Sequence, residues 1–180
     1  KAVPDFDKKE LIEVSMPMTR DPQVLEQSHQ AAAEQIEGYL KEGKSVAFLT
    51  LGDPAIYSTY IYVHKKVQQN GFPVEMVPGV PSFCAVAAKL NVSLAEAAQP
   101  LHIIPASYQG VEEGLEWSGP KILMKTGRSM KKVKELLDEK GLMDKAKMVQ
   151  KCGMEGEEIY QSMRDVDENS SYFSVIVVKE

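Results

Sequence analysis

The sequence predicts an α/β fold, and three observations carry that prediction. Strand-like and helix-like segments alternate through the first half in the order β-α-β-α-β-α, the pattern of a sheet flanked by helices. Residues 45–51 (SVAFLTL) are one continuous apolar run, as in a parallel strand covered on both faces. The second half is richer in short strands and alternates less regularly.

Each element follows from local chemistry. Residues 1–9 are polar and read as a loop; residues 10–16 read as a strand ended by Pro17. Asp21 followed by Pro22 is a helix start, an N-cap carboxylate with proline at the first helical position. Val24, Leu25, Ser28, Ala31, Ala32, Ile36, Tyr39 and Leu40 then keep near-helical spacing up to Gly43, which closes the helix. The strand at 45–51 is interrupted by Gly52-Asp53-Pro54. A helix over about 59–69 stops at Asn70-Gly71. The strand at 74–77 is cut by Pro78-Gly79, and Ser82 caps a helix running to about Leu90. Residues 91–100 are the joint between halves. Short strands follow at 101–104 and 122–124, then a helix at 129–139 capped by Ser129 and ended by Gly141. Strands at 148–151 and 172–178 complete the series.

At 180 residues the chain is one large domain or two small ones. A hydrophobic content of 43% is too high for a disordered chain. No apolar run approaches the roughly 20 residues of a membrane-spanning helix. The formal charge of −5 gives no general attraction for nucleic acid or anionic lipid, so neither is an expected partner. Cys84 and Cys152 stand far apart in no CxxC pair, which is neither a disulfide framework nor a zinc site. With no signal-peptide pattern, a reducing cytoplasm is the default expectation.

The sharpest local feature is Leu51-Gly52-Asp53-Pro54-Ala55-Ile56-Tyr57-Ser58-Thr59, placed where a buried strand ends and a helix begins. In open α/β sheets ligands bind outside the carboxyl ends of strands. Glycine there admits a ligand close to the backbone, and Asp53 can accept hydrogen bonds from hydroxyls or an ammonium. The same residues also make an ordinary strand-to-helix turn. Residues 78–82 (PGVPS) repeat the situation, with Ser82 at a helix N-terminus suited to polar or anionic groups. The plain alternative is a rigid turn with an N-cap. Lys121, Lys125, Arg128, Lys131, Lys132 and Lys134 form a stretch free of acids until Glu135. Lys131 and Lys132 fall in a first helical turn, where the dipole disfavours cations, so the block reads either as an anion-facing surface or as a solvated helix face. His29, His64 and His102 lack metal-ligand spacing, so no metal is expected. Cys84, among Val86, Ala87 and Ala88, reads as buried. No GxSxG, P-loop, GxGxxG or HExxH occurs, so hydrolase, nucleotidase, metalloprotease and dehydrogenase readings have no support.

The motifs together resemble those of the tetrapyrrole methylase family. The residues that carry the resemblance are 51–59 (LGDPAIYST) and 77–82 (VPGVPS). Residues 17–21 (PMTRD), 101–108 (LHIIPASY) and 122–128 (ILMKTGR) narrow it toward the C-20 methyltransferases that act on precorrin-2 or cobalt-factor II in cobalamin biosynthesis. That family opens with a strand and a GxGPGD loop. Neither occurs here, so the resemblance implies a chain that starts after the first βαβ unit.

The resemblance implies two α/β domains, over 1–97 with a mainly parallel sheet and over 98–180 with a mixed sheet. It also implies S-adenosylmethionine as cofactor, a tetrapyrrole substrate and a homodimer. Leu51, Gly52, Asp53, Ile56, Ser58, Thr59, Pro81, Ser82, Met124 and Gly153 are then the cofactor-lining residues. Asp53 and Tyr57 are the candidates for the proton transfer that follows methylation. Arg20, Lys125 and Arg128 are the candidates for the substrate's carboxylates, by charge-assisted hydrogen bonding. Methyl transfer from a sulfonium to carbon requires no protein nucleophile, only alignment. Other expectations are a uroporphyrinogen III or precorrin-4 methylase of the same family, or a module that binds tetrapyrrole or nucleoside without turnover.

Overall fold

The computed structural model describes residues 3–179; residues 1 and 2 of the expected N-terminal loop lie outside them. Within that loop Phe6–Lys8 make a single 3-10 turn. The chain divides into two units, the first ending at Gly79 and the second beginning at Val80.

In the first unit, helix α1 (Pro22–Lys41) starts as its sequence dictates. The Asp21 carboxylate accepts from the Gln23 and Val24 amides at 2.9 and 3.4 Å, satisfying two orphan donors of the first turn. Helix α2 (Tyr60–Gln69) packs beside it through Ala32, Ala33, Val63 and Val67. Val14, Met16, Phe72 and Val74 close the edges of this cluster. Buried Glu37 is satisfied by the Asn70 side-chain amide at 2.7 Å.

The mainly parallel sheet expected in this part of the chain is not formed among the described residues. Residues 10–16, 45–51 and 74–77 carry no strand assignment, and no backbone hydrogen bond joins the latter two segments. A groove of about 500 Å³ is lined by residues 46–50 on one side, 73–77 on another, and Ile36, Leu40, Val63 and Val67 of the helices. Neighbouring strands pair at about 4.8 Å through backbone hydrogen bonds, and none is made between these two among the described residues. Their apolar side chains are therefore not covered on both faces: Leu49 and Leu51 are 72% and 81% exposed.

The second unit is built on a five-stranded mixed sheet in the order β1-β2-β5-β3-β4. Its strands are β1 (His102–Pro105), β2 (Lys121–Met124), β3 (Ala146–Gln150), β4 (Glu158–Tyr160) and β5 (Ser174–Val178). Only β1 and β2 run parallel; every other pair is antiparallel. Strand β5 lies in the middle, and its five residues are all buried, which explains the unbroken SVIVV run. On one face Leu123, Met148 and Ile176 cluster with Met130, Val133 and Leu137 of helix α5 (Met130–Glu139). Residues of the opposite parity, Ile122, Val149 and Val177, are equally buried. Helix α3 (Ser82–Leu90) packs against β3 and β5, and the short α4 (Val111–Gly114) against β1.

Three local expectations need correction. Ser82 is the first residue of α3 rather than its cap; Pro81 holds the cap position, with no side-chain bond. Ser129 precedes α5 without a side-chain capping bond. Cys84 is exposed, because it lies on the face of α3 opposite Phe83, Val86 and Leu90.

Candidate functional site

In the first unit the two glycine-containing motifs meet. Gly52 has φ 86, a left-handed turn that reverses the chain out of the extended segment before it. Asp53 then ties both loops together. Its Oδ1 accepts from the Ala55 amide at 2.8 Å, and its Oδ2 accepts from the Gly79 amide at 2.9 Å. A Cβ at Gly79 would stand 2.1 Å from the Gly52 carbonyl oxygen, so only glycine permits this approach. Thr50 and Ser58 hydroxyls lie 3.1 Å apart, and Ser58 Oγ accepts from the Tyr60 amide at 3.3 Å, the entry to α2. Tyr57 adopts φ 52, a conformation that costs an aromatic residue energy and that such loops retain where function requires it.

The exposure of these residues differs. Leu51, Tyr57 and Thr59 face solvent, whereas Gly52, Asp53, Ile56 and Ser58 are half-buried. Arg20 is exposed, next to the Asp21 cap. Pro81 is half-buried and Ser82 exposed at the start of α3, in the second unit.

The second unit gathers the other candidates at one end of its sheet. Register places Met124 across from Val175 and Gln150 across from Ser174. Met124, Lys125 and Arg128 therefore leave β2 at the same sheet end where Gly153 leaves β3. Lys125 has φ 57 and is half-buried; Arg128 is exposed. Between them Thr126 is wholly buried with no hydrogen-bond partner for its Oγ1 among the described residues. Gly153, at φ 73, donates its amide to Glu157 at 2.6 Å, and Glu157 also pairs with Lys89 of α3 at 2.8 Å. Those two bonds hold the Glu157 carboxyl below the usual carboxylate range. Burial and the Glu157 charge push the nearby Cys152 thiol up, so it stays protonated.

The basic block is not one surface. Lys121 is 0% exposed at the start of β2, and Lys134 donates to the Val166 carbonyl at 2.5 Å. Lys125, Arg128, Lys131 and Lys132 remain accessible to differing degrees. Sequence reasoning also missed the bond from the Gly79 amide to Asp53, although its position between Pro78 and Pro81 marked a constrained loop. It placed Tyr172 and Phe173 inside a strand that begins only at Ser174. The described residues contain no group of His, Cys, Asp and Glu able to hold a metal ion, and no helix long and apolar enough to cross a membrane.

The family model "Tetrapyrrole (Corrin/Porphyrin) Methylases" matches residues 1–166. A precorrin-2 C(20)-methyltransferase from Sinorhizobium sp is 28% identical over 152 residues, covering 83% of this chain and 62% of the relative. A cobalt-precorrin-2 C(20)-methyltransferase from Salmonella typhimurium is 32% identical over 170 residues, covering 91% of this chain and 70% of the relative. The chain thus spans roughly two thirds of the length of these relatives. Among solved structures, uroporphyrin-III C-methyl transferase from Thermus thermophilus, in complex with S-adenosyl homocysteine, superposes with a TM-score of 0.65. That likeness is at 18% identity and covers 86% of this chain and 73% of that one. With its glycine loops locked by Asp53 and its sequence matched along most of its length, the chain belongs to the tetrapyrrole methylase family.

Proposed function

We infer that the protein transfers a methyl group from S-adenosylmethionine to the C-20 carbon of precorrin-2 or its cobalt-containing counterpart. The observation that carries the reading is the Asp53 bridge. It brings the Gly52 turn and the Gly79 loop, two of the motifs that carry the family resemblance, to backbone contact. The residues present fit a nucleoside ligand. A carboxylate offers about four acceptor sites, and the loop bonds take two, which leaves acceptors for ribose hydroxyls. In this reading Leu51, Gly52, Ile56, Ser58 and Thr59 are the first unit's cofactor residues, and Pro81, Ser82, Met124 and Gly153 are those proposed in the second unit.

When bound, the cofactor supplies an electrophilic methyl carbon, and the chain's task is alignment. Good alignment is worth up to about 7–11 kcal/mol of the barrier. With one bond on each oxygen, Asp53 holds the two loops together and keeps its remaining acceptors for the ribose, as a cofactor-binding residue in this reading. Arg20, Lys125 and Arg128 hold substrate carboxylates. The names of the two curated relatives support the choice of C-20 over other ring positions.

The test is incubation of the chain with labelled S-adenosylmethionine and each tetrapyrrole, followed by mass spectrometry. A gain of one methyl group mapped to C-20 is expected. Charge reversal at Lys125 and Arg128 is expected to raise the tetrapyrrole KM and leave S-adenosylhomocysteine affinity unchanged. Methylation at another ring carbon, or none, overturns the reading.

A further inference from the structure

The geometry points to Tyr172 and Phe173 as the platform on which the macrocycle of a polycarboxylate tetrapyrrole rests. This rests on the tetrapyrrole reading above, and it adds residues that reading did not contain. Both side chains directly precede β5, whose every residue is buried, yet they are 45% and 50% exposed. The two rings form an edge-to-face pair 5.5 Å apart at 82°. Burying them would have favoured the fold, so their exposure at the head of a core strand points to a partner outside the core.

Their position is fixed by the sheet. The Phe173 carbonyl accepts from the Lys151 amide at 2.7 Å, and the Tyr172 ring lies 3.7 Å from where a Cβ on Gly127 would stand. The pair thus sits between the loop leaving β2, with Lys125 and Arg128, and the loop leaving β3, with Lys151. The Lys151 ammonium folds over its own turn beside Gly156. At this sheet end Glu157 is neutralised by Lys89 and the Gly153 amide, while Glu155 is exposed in the turn.

Charge selects the occupant. Two exposed aromatic rings, with Lys125 and Arg128 on one flank and Lys151 in the turn on the other, match a conjugated molecule with anionic arms. A sulfonium cofactor carries the opposite charge and gains nothing from Lys125, Arg128 and Lys151. The macrocycle stacks on one ring and meets the other edge-on, and its carboxylates reach the flanking cations.

The test uses the full chain and uroporphyrin, a stable fluorescent polycarboxylate macrocycle, as probe. Fluorescence titration is run on wild type, Y172A/F173A and the conservative Y172F/F173Y. S-adenosylhomocysteine calorimetry on each variant serves as the independent readout. The alanine pair is expected to weaken uroporphyrin binding about tenfold or more. The conservative pair should restore it, and S-adenosylhomocysteine affinity should stay within twofold throughout. Both side chains are exposed, and circular dichroism confirms that the variants fold. Uroporphyrin affinity unchanged in the alanine pair overturns the proposal, as does equal loss of S-adenosylhomocysteine or no wild-type binding of uroporphyrin. If wild type binds uroporphyrin through the pair but methylates nothing, the platform stands and the methyltransfer reading falls. If methylation proceeds with the same tetrapyrrole KM in all three proteins, the platform falls and methyltransfer stands.

Discussion

Replacing Gly79 with alanine isolates the contact on which the first unit's ligand corner depends. The new Cβ would meet the Gly52 carbonyl oxygen at 2.1 Å and its carbon at 3.1 Å. Both are backbone atoms, so no rotamer relieves the overlap. Non-bonded heavy atoms settle near 3.5 Å, so the loops must part by roughly 1 Å or more. The Gly79 amide then moves out of reach of Asp53 Oδ2, now 2.9 Å away. Hydrogen bonds to charged groups contribute about 1.5–3 kcal/mol, and half-exposed Asp53 argues for the lower end. At about 1.4 kcal/mol per decade, S-adenosylhomocysteine binding should weaken about tenfold. Isothermal calorimetry measures this directly. Gly43→Ala is the control: Gly43 has φ 77 and no atom within 4 Å of a Cβ, so alanine there costs backbone strain of about 1–2 kcal/mol without touching the corner. Gly79→Ala binding within twofold of wild type, with Gly43→Ala equally unaffected, would refute the reasoning.

Two further expectations concern stability. Gly38 is exposed within α1 with no neighbour near a Cβ, so Gly38→Ala should stabilise the helix by about 1 kcal/mol, seen as a higher urea midpoint for its unit. His29 is buried against Tyr62, the rings stacked 4.8 Å apart, and its Nε2 has no partner among the described residues. Burial lowers its proton affinity. Below about pH 6.5 the unfolded chain therefore binds a proton that the folded chain resists, and stability falls as pH drops through the folded pKa. Urea unfolding between pH 7.5 and 5 should show that loss, and His29→Phe, which keeps the stack, should flatten it.

What the sequence made legible was what local chemistry decides. Asp21-Pro22 placed the start of α1, Asn70-Gly71 the end of α2, and the apolar run before Val178 the central strand. Caps were harder: Ser82 is the first residue of α3 rather than its cap, and Ser129 holds the cap position of α5 without making a side-chain bond. Pairing was the least legible. Residues 45–51 have every property of a core strand, but a strand needs a neighbour at bonding distance, and composition carries no information on that. The site divided the same way. Gly52 and Asp53 were visible as motif letters, whereas the Asp53–Gly79 bond spans 26 positions and exists only in three dimensions. Lys121 looked like part of a cationic face and is wholly enclosed, since β2 carries it into the sheet.

The groove beside α1 and α2 leaves apolar side chains bare on its flanks, Leu49 at 72% and Val77 at 76% exposure. Residues 46–50 and 74–77, which line it, form no ladder bond with each other among the described residues, and Pro73 and Pro78, which cannot donate to an added strand, stand at the two ends of the second segment.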